Sequence, residues 1–235
     1  MRVFEIFRSI QGETTRVGLP MHFVRLAGCD LECAYCDTVP ARDPAAGREM
    51  SVAEVLAAVS SPALPWVAIT GGEPLLQVAE VNALIAALLE AKGSVRQRGQ
   101  APYALRGLTP SAADPFRGRK VLVETSGSHS IDTLDPRAIR IVDVKTPGSG
   151  MSDRMCWRNL DLVRPEDEVK FVLTGREDYE WAKGVAARHA LPGRTPVLFG
   201  AAEPSLSAAE LARWILDDGL AVRLNLQIHK YLHLP

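Results

Sequence analysis

Residues 29–36 read Cys29-Asp-Leu-Glu-Cys33-Ala-Tyr-Cys36 and place three thiols in one short loop. The loop follows His22 to Ala27, a mostly apolar run that predicts a β-strand. The fourth cysteine, Cys156, stands far downstream, so the spacing does not resemble the framework of a disulfide-stabilised protein. The three clustered thiols therefore indicate the ligands of one inorganic centre.

Two kinds of centre compete for these thiols. Three thiolates suit a 4Fe-4S cluster in which one iron has no protein ligand, because soft sulfur is the preferred ligand for iron in such clusters. A structural zinc site needs four closed ligands. His22 and Cys156 are the candidates for a fourth ligand, and neither lies at a familiar spacing. Three inert packed cysteines are a further alternative, which the close spacing disfavours.

Outside this loop, short β-branched runs alternate with amphipathic helical segments, which predicts βα units and a mostly parallel sheet in one α/β domain over residues 1–235. Predicted strands are Val3 to Ile10, His22 to Ala27, Trp66 to Thr70, Lys120 to Glu124, Arg140 to Val144, Val169 to Leu173, Pro196 to Phe199 and Val222 to Leu226. Predicted helices lie near Ser51 to Val59, Leu75 to Lys92, Glu177 to His189 and Ser207 to Asp217. Ser51 with Glu54 and Ser207 with Glu210 have capping-box spacing, which defines two helix starts.

The amino-acid composition limits which classes of protein this chain can belong to. A chain of 235 residues that is 47% hydrophobic can bury a sizeable core. Its formal net charge of -1 gives no global field that would attract nucleic acid or an acidic membrane. The N-terminus lacks the pattern of an export signal, and polar residues interrupt the apolar stretch Leu75 to Lys92. We therefore expect a soluble, cytoplasmic protein with no nucleic-acid partner and no membrane partner.

Gly93 to Gly118 departs from the βα pattern. It is rich in Gly, Pro, Arg and Ser, has no sustained period, and joins a helix to a strand that needs only a short connection. We predict an inserted surface loop at about 93–118. Its arginines permit a basic contact, although a solvated loop is the simpler interpretation.

Unusual residues follow the ends of predicted strands. They are Cys29, Gly71-Gly72, Thr125-Ser126-Gly127, Lys145, Gly200 and His229. In barrel-like α/β folds the strands hold the loops of this edge on a rigid rim, and functional sites are built there. The sequence therefore predicts one site at this edge.

The cysteine loop, with the aromatic Tyr35 before its last cysteine, resembles the signature of the radical S-adenosylmethionine (SAM) superfamily. Thr70-Gly-Gly-Glu-Pro74, about one βα unit later, resembles its glycine-rich SAM motif, in which glycine lets the backbone approach a ligand closely. The resemblance implies an incomplete TIM-like barrel and a 4Fe-4S cluster on Cys29, Cys33 and Cys36. It implies SAM contacts at Tyr35, Cys36, Asp37, Gly71, Gly72, Glu73, Ser126, Asp143, Val144 and Lys145.

Further segments resemble the 7-carboxy-7-deazaguanine synthase family over nearly the whole chain outside 93–118. They are Ser9-Ile-Gln-Gly-Glu13, Arg25, Asp37-Thr38, Glu124-Thr-Ser-Gly127, Glu168-Val-Lys-Phe171 and Gln227-Ile-His-Lys230. The resemblance implies a lyase that converts 6-carboxy-5,6,7,8-tetrahydropterin into 7-carboxy-7-deazaguanine and ammonia by ring contraction, in queuosine and 7-deazapurine biosynthesis. In the family's mechanism, cleavage of SAM gives a 5'-deoxyadenosyl radical that abstracts the hydrogen at C6 of the pterin.

The family resemblance also implies roles for single residues and for partners. Substrate contacts are expected at Ile10, Gln11, Gly12, Glu13, Arg25, Thr70, Glu124, His229 and Pro235. Arg25 would hold the substrate carboxylate, because a guanidinium binds a carboxylate through two prongs. Thr38 resembles the family's Mg²⁺ ligand, since a hard cation binds through oxygen. Family members are typically homodimers, and an electron donor such as flavodoxin or ferredoxin is expected.

The sequence departs from the family pattern at three places. Thr14 stands where a glycine is usual, Asp143-Val144 where Ser-Pro is usual, and Gly200-Ala201 where Ser-Pro or Gln-Pro is more frequent. The remaining cysteine, Cys156, is expected to be a packed residue. The other histidines, expected to be structural or exposed, are His22, His129, His189 and His233.

Two rival functions remain open at this level. An activating enzyme for a glycyl-radical partner would share the cysteine loop but would not need Gln11, Glu13, Arg25 and His229. A zinc-stabilised nucleic-acid-binding module is the second rival. Near-neutral charge and only three clustered thiols count against it.

Overall fold

The computed structural model describes residues 1–60, 64–90 and 119–235. The insertion predicted at about 93–118, and the end of the helix predicted from Leu75 to Lys92, lie outside the described residues.

Nine strands of the described chain form one sheet in the order β3-β1-β2-β4-β5-β6-β7-β8-β9. They are β1 Arg2–Ile10, β2 Pro20–Leu26, β3 Arg48–Glu49, β4 Trp66–Gly71, β5 Lys120–Thr125, β6 Ile139–Val144, β7 Glu168–Leu173, β8 Val197–Ala201 and β9 Arg223–Asn225. The β1–β2 and β1–β3 pairs are antiparallel, and every pair from β2 to β9 is parallel. All eight predicted strands are confirmed within two residues at each end, and the two-residue β3 was missed because so short a run has no period.

The α-helices in this part of the chain are α1 Val52–Ala58, α2 Val78–Glu90, α3 Asn159–Leu162, α4 Arg176–Arg188, α5 Ala208–Asp217 and α6 Ile228–Tyr231. Ser51 and Glu54 form the predicted reciprocal capping box at α1. At α5 the Ser207 hydroxyl accepts from Glu210 N at 3.2 Å, which is half of the predicted pair. A 3-10 turn at Pro74–Gln77 precedes α2, so that helix begins three residues later than predicted. Within the described ranges, no helix is long and apolar enough to cross a membrane.

Both faces of the sheet bury apolar residues, which explains the nearly continuous apolar strands. Val67, Ile69 and their neighbours pack against the helices, whereas Trp66 and Ala68 belong to a second cluster with Met21, Phe23, Leu122 and Ile141. Because side chains alternate along a strand, the next residues on this second face are Thr70, Glu124 and Asp143. The second cluster therefore lies beneath a polar layer at the carboxyl ends of the strands.

The turn after β1 contacts strands β7 and β9, which lie in the opposite half of the sheet. Thr14 N donates to Asn225 Oδ1 of β9 at 2.8 Å, and Thr15 Oγ1 donates to Glu168 Oε1 of β7 at 2.6 Å. Among the described residues, the two edge strands β3 and β9 do not pair with each other, so the sheet does not close into a barrel. This α/β architecture with an open, mostly parallel sheet agrees with the predicted incomplete barrel. Thr70, Glu124 and Asp143 of this polar layer line a cavity.

Candidate active site

A cavity of about 260 Å³ lies at the carboxyl edge of the sheet. It is lined by the β1–β2 turn, the cysteine loop, the ends of β4 to β8 and the C-terminal tail. The predicted site residues that line it are Ile10, Gln11, Gly12, Glu13, Arg25, Cys29, Cys33, Tyr35, Cys36, Asp37, Thr38, Thr70, Gly71, Gly72, Glu124, Ser126, Asp143, Lys145, His229 and Pro235.

The cysteine loop is held by backbone hydrogen bonds. Cys29 N donates to Arg42 O at 3.1 Å, and Ala34 N donates to Ser149 O at 3.0 Å. Cys29, Cys33 and Cys36 are free and half-buried, and burial raises the pKa of the Cys29 and Cys33 thiols. Three soft donors that face one cavity fit a 4Fe-4S cluster, in which each thiolate binds a different iron.

The zinc alternative finds no geometric support among the described residues. No three His, Cys, Asp or Glu side chains in residues 1–60, 64–90 and 119–235 are placed to hold a single metal ion. The two candidates for a fourth ligand, His22 and Cys156, do not line the cavity with the other thiols.

Gly71 and Gly72 bring β4 against the cysteine loop. Gly72 N donates to Leu26 O at 2.9 Å, and Glu73 N donates to Gly28 O at 2.7 Å. A Cβ at Gly72 would overlap the Gly28 carbonyl oxygen, and Gly71 has a φ of 110°. Close backbone packing therefore requires these glycines, in addition to any approach of a ligand.

Glu73 is placed differently from the other predicted SAM contacts. Its side chain is fully buried and does not line the cavity. Its carboxylate accepts from Leu75 N at 2.8 Å, from Thr125 Oγ1 at 2.9 Å, and from Ser126 N and Oγ at 2.7 and 2.5 Å. Burial raises the pKa of Glu73, although hydrogen bonds from Ser126 and Leu75 oppose the shift. Glu73 positions the loop that carries Ser126.

Val144 is the second predicted site residue outside the cavity. Its side chain is 1% exposed and packs in the core between the sheet and the helices. Alternation along β6 turns Asp143 to the cavity and Val144 away from it, so only the backbone of Val144 remains for a cofactor contact.

A hydrogen-bonded acidic group lies at the β1 and β5 side of the cavity. Gln11 Nε2 donates to Glu124 Oε1 at 3.2 Å, and Thr70 Oγ1 donates to Glu124 Oε2 at 3.2 Å. Glu13 N donates to Gln11 Oε1 at 3.1 Å, which fixes the Gln11 amide. Burial raises the pKa of Glu124. These groups can accept hydrogen bonds from the N–H edge of a heterocycle.

Arg25 and Thr38 form a second polar group near the cysteine loop. Arg25 Nε donates to Glu5 Oε1 at 2.8 Å, and its Nη1 donates to Thr38 Oγ1 at 3.0 Å. The Thr38 hydroxyl donates to Asp37 Oδ1 at 3.0 Å. A guanidinium beside two oxygen donors can bind a carboxylate together with a hard cation.

The C-terminal tail closes the cavity beside the β1–β2 turn. Ile228 N donates to Gly12 O at 2.9 Å, and a Cβ at Gly12 would overlap the His229 ring. Burial lowers the pKa of His229, which favours the neutral imidazole. Pro235 also reaches the cavity. Gly12 is needed because the tail packs directly on this turn.

Lys170 and Gln227 also line the cavity; both lie in segments that resemble the family, but neither was predicted to be a site residue. Lys170 Nζ lies 2.9 Å from Glu13 Oε2 and 3.4 Å from Asp143 Oδ2. Gln227 Nε2 donates to Glu13 Oε1 at 2.6 Å. The sequence signal that could have identified Lys170 is its place in the mostly apolar strand Glu168–Leu173, because a buried lysine needs a charged or polar partner.

Two departures from the family pattern have structural consequences. Thr14 has a φ of 68°, in the left-handed region that favours glycine, so its backbone carries a strain of about 1–2 kcal/mol. The Asn225 and Glu168 side chains hold the turn in that conformation. Gly200 and Ala201 both lie in β8, and of these two only Ala201 lines the cavity.

Comparison with known proteins identifies full-length relatives. The chain is 37% identical over 238 residues to the 7-carboxy-7-deazaguanine synthase of Chlorobaculum tepidum, covering all of this chain and 95% of the relative. It is 37% identical to that of Koribacter versatilis, with 100% and 98% coverage, and 34% identical to that of Methanospirillum hungatei, with 100% and 86% coverage.

A family model described as a 4Fe-4S single cluster domain matches residues 10–111. The crystal structure of QueE from Escherichia coli has a TM-score of 0.65 and 20% identity, covering 96% of this chain and 93% of that one. At this identity the structural likeness supports the fold alone. The assignment to a family rests on the full-length sequence relatives.

Proposed function

Because the chain belongs to the 7-carboxy-7-deazaguanine synthase family, we propose that its cavity holds a 4Fe-4S cluster, SAM and a pterin substrate together. The chain is a radical SAM lyase that converts 6-carboxy-5,6,7,8-tetrahydropterin into 7-carboxy-7-deazaguanine and ammonia by ring contraction, in queuosine and 7-deazapurine biosynthesis. The observation that supports the site assignment most strongly is that the three thiols and the polar groups share one cavity.

Cys29, Cys33 and Cys36 are the proposed cluster ligands. When bound and reduced, the cluster supplies the electron that cleaves SAM. Tyr35 and Lys145 would contact the SAM nucleotide and its charged groups. Lys145 Nζ lies 5.9 Å from the Tyr35 ring centroid and 3.1 Å from Asp143 Oδ2. Although burial alone would lower the pKa of Lys145, Asp143 raises it above its ordinary value, so the ammonium stays charged.

The substrate is proposed to lie between the two polar groups. Arg25 would bind the pterin carboxylate, since it lines the cavity beside Thr38 and a guanidinium can hold a carboxylate through two N–H groups. Gln11, Glu13 and Glu124 would accept hydrogen bonds from the N–H groups of the pterin ring. A cation at one end and carboxylates at the other orient the substrate.

Thr38 is the proposed protein ligand of Mg²⁺. The Thr38 hydroxyl and an Asp37 carboxylate oxygen lie 3.0 Å apart beside Arg25, and such oxygen donors suit a hard cation. Mg²⁺ commonly keeps several waters and uses few protein ligands, so the substrate carboxylate would complete the site.

We further propose a cytoplasmic homodimer that receives its electron from a donor such as flavodoxin or ferredoxin. A reducing compartment supports free thiols of this kind. Residues 1–235 are proposed to form one domain, with an inserted loop at about 93–118.

The test is product analysis under anaerobic conditions. The reconstituted protein is incubated with SAM, a reductant and 6-carboxy-5,6,7,8-tetrahydropterin, and mass spectrometry should detect 7-carboxy-7-deazaguanine. Cys36→Ser should lose cluster and product, whereas the matched control Cys156→Ser should retain both. Cleavage of SAM without the deazaguanine would refute the substrate and favour an activating enzyme.

A further inference from the structure

Lys170 lines the cavity between Glu13, a proposed substrate contact, and Asp143, a proposed SAM contact. It projects from β7, where its Cα pairs with that of Asp143 on β6. Its ammonium is 2.9 Å from Glu13 Oε2 and 3.4 Å from Asp143 Oδ2. The Lys170 side chain is 11% exposed and its two partners are 14% and 16% exposed. The three groups therefore form a largely desolvated ion-pair chain.

Glu13 is fixed from three directions. Lys170 and Asn225 Nδ2 donate to Oε2 at 2.9 and 3.3 Å, and Gln227 Nε2 donates to Oε1 at 2.6 Å. A carboxylate has about four acceptor positions, so three donors leave capacity for a ligand in the cavity. Among the three, only Lys170 brings a positive charge.

We propose that Lys170 is a positioning residue: anchored on Asp143, its ammonium holds the Glu13 carboxylate in one orientation toward the ring N–H groups of the bound pterin. The inference rests on the proposed function, which supplies the ligand. It adds a residue that acts through Glu13.

The charges around Glu13 support this role. Among the described residues, Glu124 from β5 and His229 from the tail also interact with Glu13, and Asp143 from β6 faces Lys170. Burial alone would raise the pKa of Glu13, but the charge and hydrogen bond of Lys170, with Gln227 and Asn225, lower it to about 2. Glu124 is a carboxylate, so without Lys170 both burial and this nearby charge would favour a protonated Glu13.

The experiment compares wild type, K170M, K170R, E13Q and the double variant K170M/E13Q, each with its cluster. Pterin binding is titrated anaerobically with SAM present and no reductant, so turnover does not occur. K170M should weaken pterin binding by roughly 10–100-fold, which corresponds to loss of a charge-assisted hydrogen bond. K170R should recover most of the affinity. In the E13Q background, K170M should change affinity by less than about threefold, because its effect passes through Glu13.

The pH dependence gives a second readout. As the pH is lowered, the affinity of K170M should begin to fall at a higher pH than that of wild type, because burial without the ammonium partner raises the pKa of Glu13. Iron content and SAM binding should match wild type in K170R.

The outcomes distinguish a failure of the inference about Lys170 from a failure of the proposed function. Equal pterin affinity in wild type and K170M, or additive effects of K170M and E13Q, overturn the inference and leave the proposed function standing. Failure of the wild type to bind the pterin overturns the proposed function, and with it the ligand named here.

Discussion

Replacing Glu73 by alanine should destabilise the protein by about 2–6 kcal/mol, because buried donors lose their acceptor. Leu75 N and Thr125 Oγ1 are buried and donate to this carboxylate at 2.8 and 2.9 Å. Each buried donor left unsatisfied costs about 1–3 kcal/mol, and two such donors give the stated range. Ser126 is half-buried, so its two donors can bond to water instead and add little to this cost.

The assay is urea denaturation of the cluster-loaded protein under anaerobic conditions, followed by circular dichroism. Glu80→Ala is the matched control, since Glu80 is an exposed carboxylate in the first turn of α2 and should change stability little. SAM affinity should also fall in Glu73→Ala, because the Ser126 loop loses its anchor. A variant whose unfolding free energy and SAM affinity both stay at the wild-type values would refute the positioning role of Glu73.

Three other substitutions test separate parts of the account. Arg25→Ala should lose turnover and weaken pterin binding while the cluster spectrum is retained; unchanged pterin affinity would remove Arg25 from the site. Thr38→Ala should weaken the stimulation of turnover by Mg²⁺, and an unaltered metal titration would refute Thr38 as a ligand. Asp167→Asn should cost about 3–5 kcal/mol in urea denaturation at pH 7, because the fully buried carboxylate pairs with Arg140 and Arg164. Burial alone would raise the pKa of Asp167, but these arginines lower it, so the wild-type advantage should shrink as pH falls below 3.8, and a pH-independent difference would contradict this.

The secondary structure and the location of the site were predictable because their signals are local. Short β-branched apolar runs predicted the strands, and Ser51 with Glu54 predicted a helix start that the structure confirms. Carboxyl ends of parallel strands meet at one edge, so residues as distant as Cys29 and Lys145 were expected in one site. The structure places both in the same cavity.

The roles of Glu73 and Lys170 were not predictable, because they depend on contacts between distant strands. Glu73 lies in a motif that resembles a SAM-binding loop, yet it turns toward Thr125 and Ser126 of β5 and the following loop. Lys170 meets Glu13 across 157 residues of sequence. Periodicity shows which face a residue occupies, but not which partner from another strand lies opposite.

Close packing of backbone was also hidden from the sequence. Gly12 and Gly72 were predicted to contact ligands, and the structure gives each a further reason to be glycine, since the His229 ring and the Gly28 carbonyl lie against them. These neighbours come from the C-terminal tail and the cysteine loop. Such contacts require the assembled fold.

The most direct test of the central claim is electron paramagnetic resonance of the reduced, anaerobically reconstituted protein with and without SAM. We predict about four irons per chain and a spectrum that changes when SAM is added, because a cluster held by Cys29, Cys33 and Cys36 would leave one iron free for SAM. A colourless protein with one bound zinc, or an iron–sulfur spectrum unaffected by SAM, would contradict it.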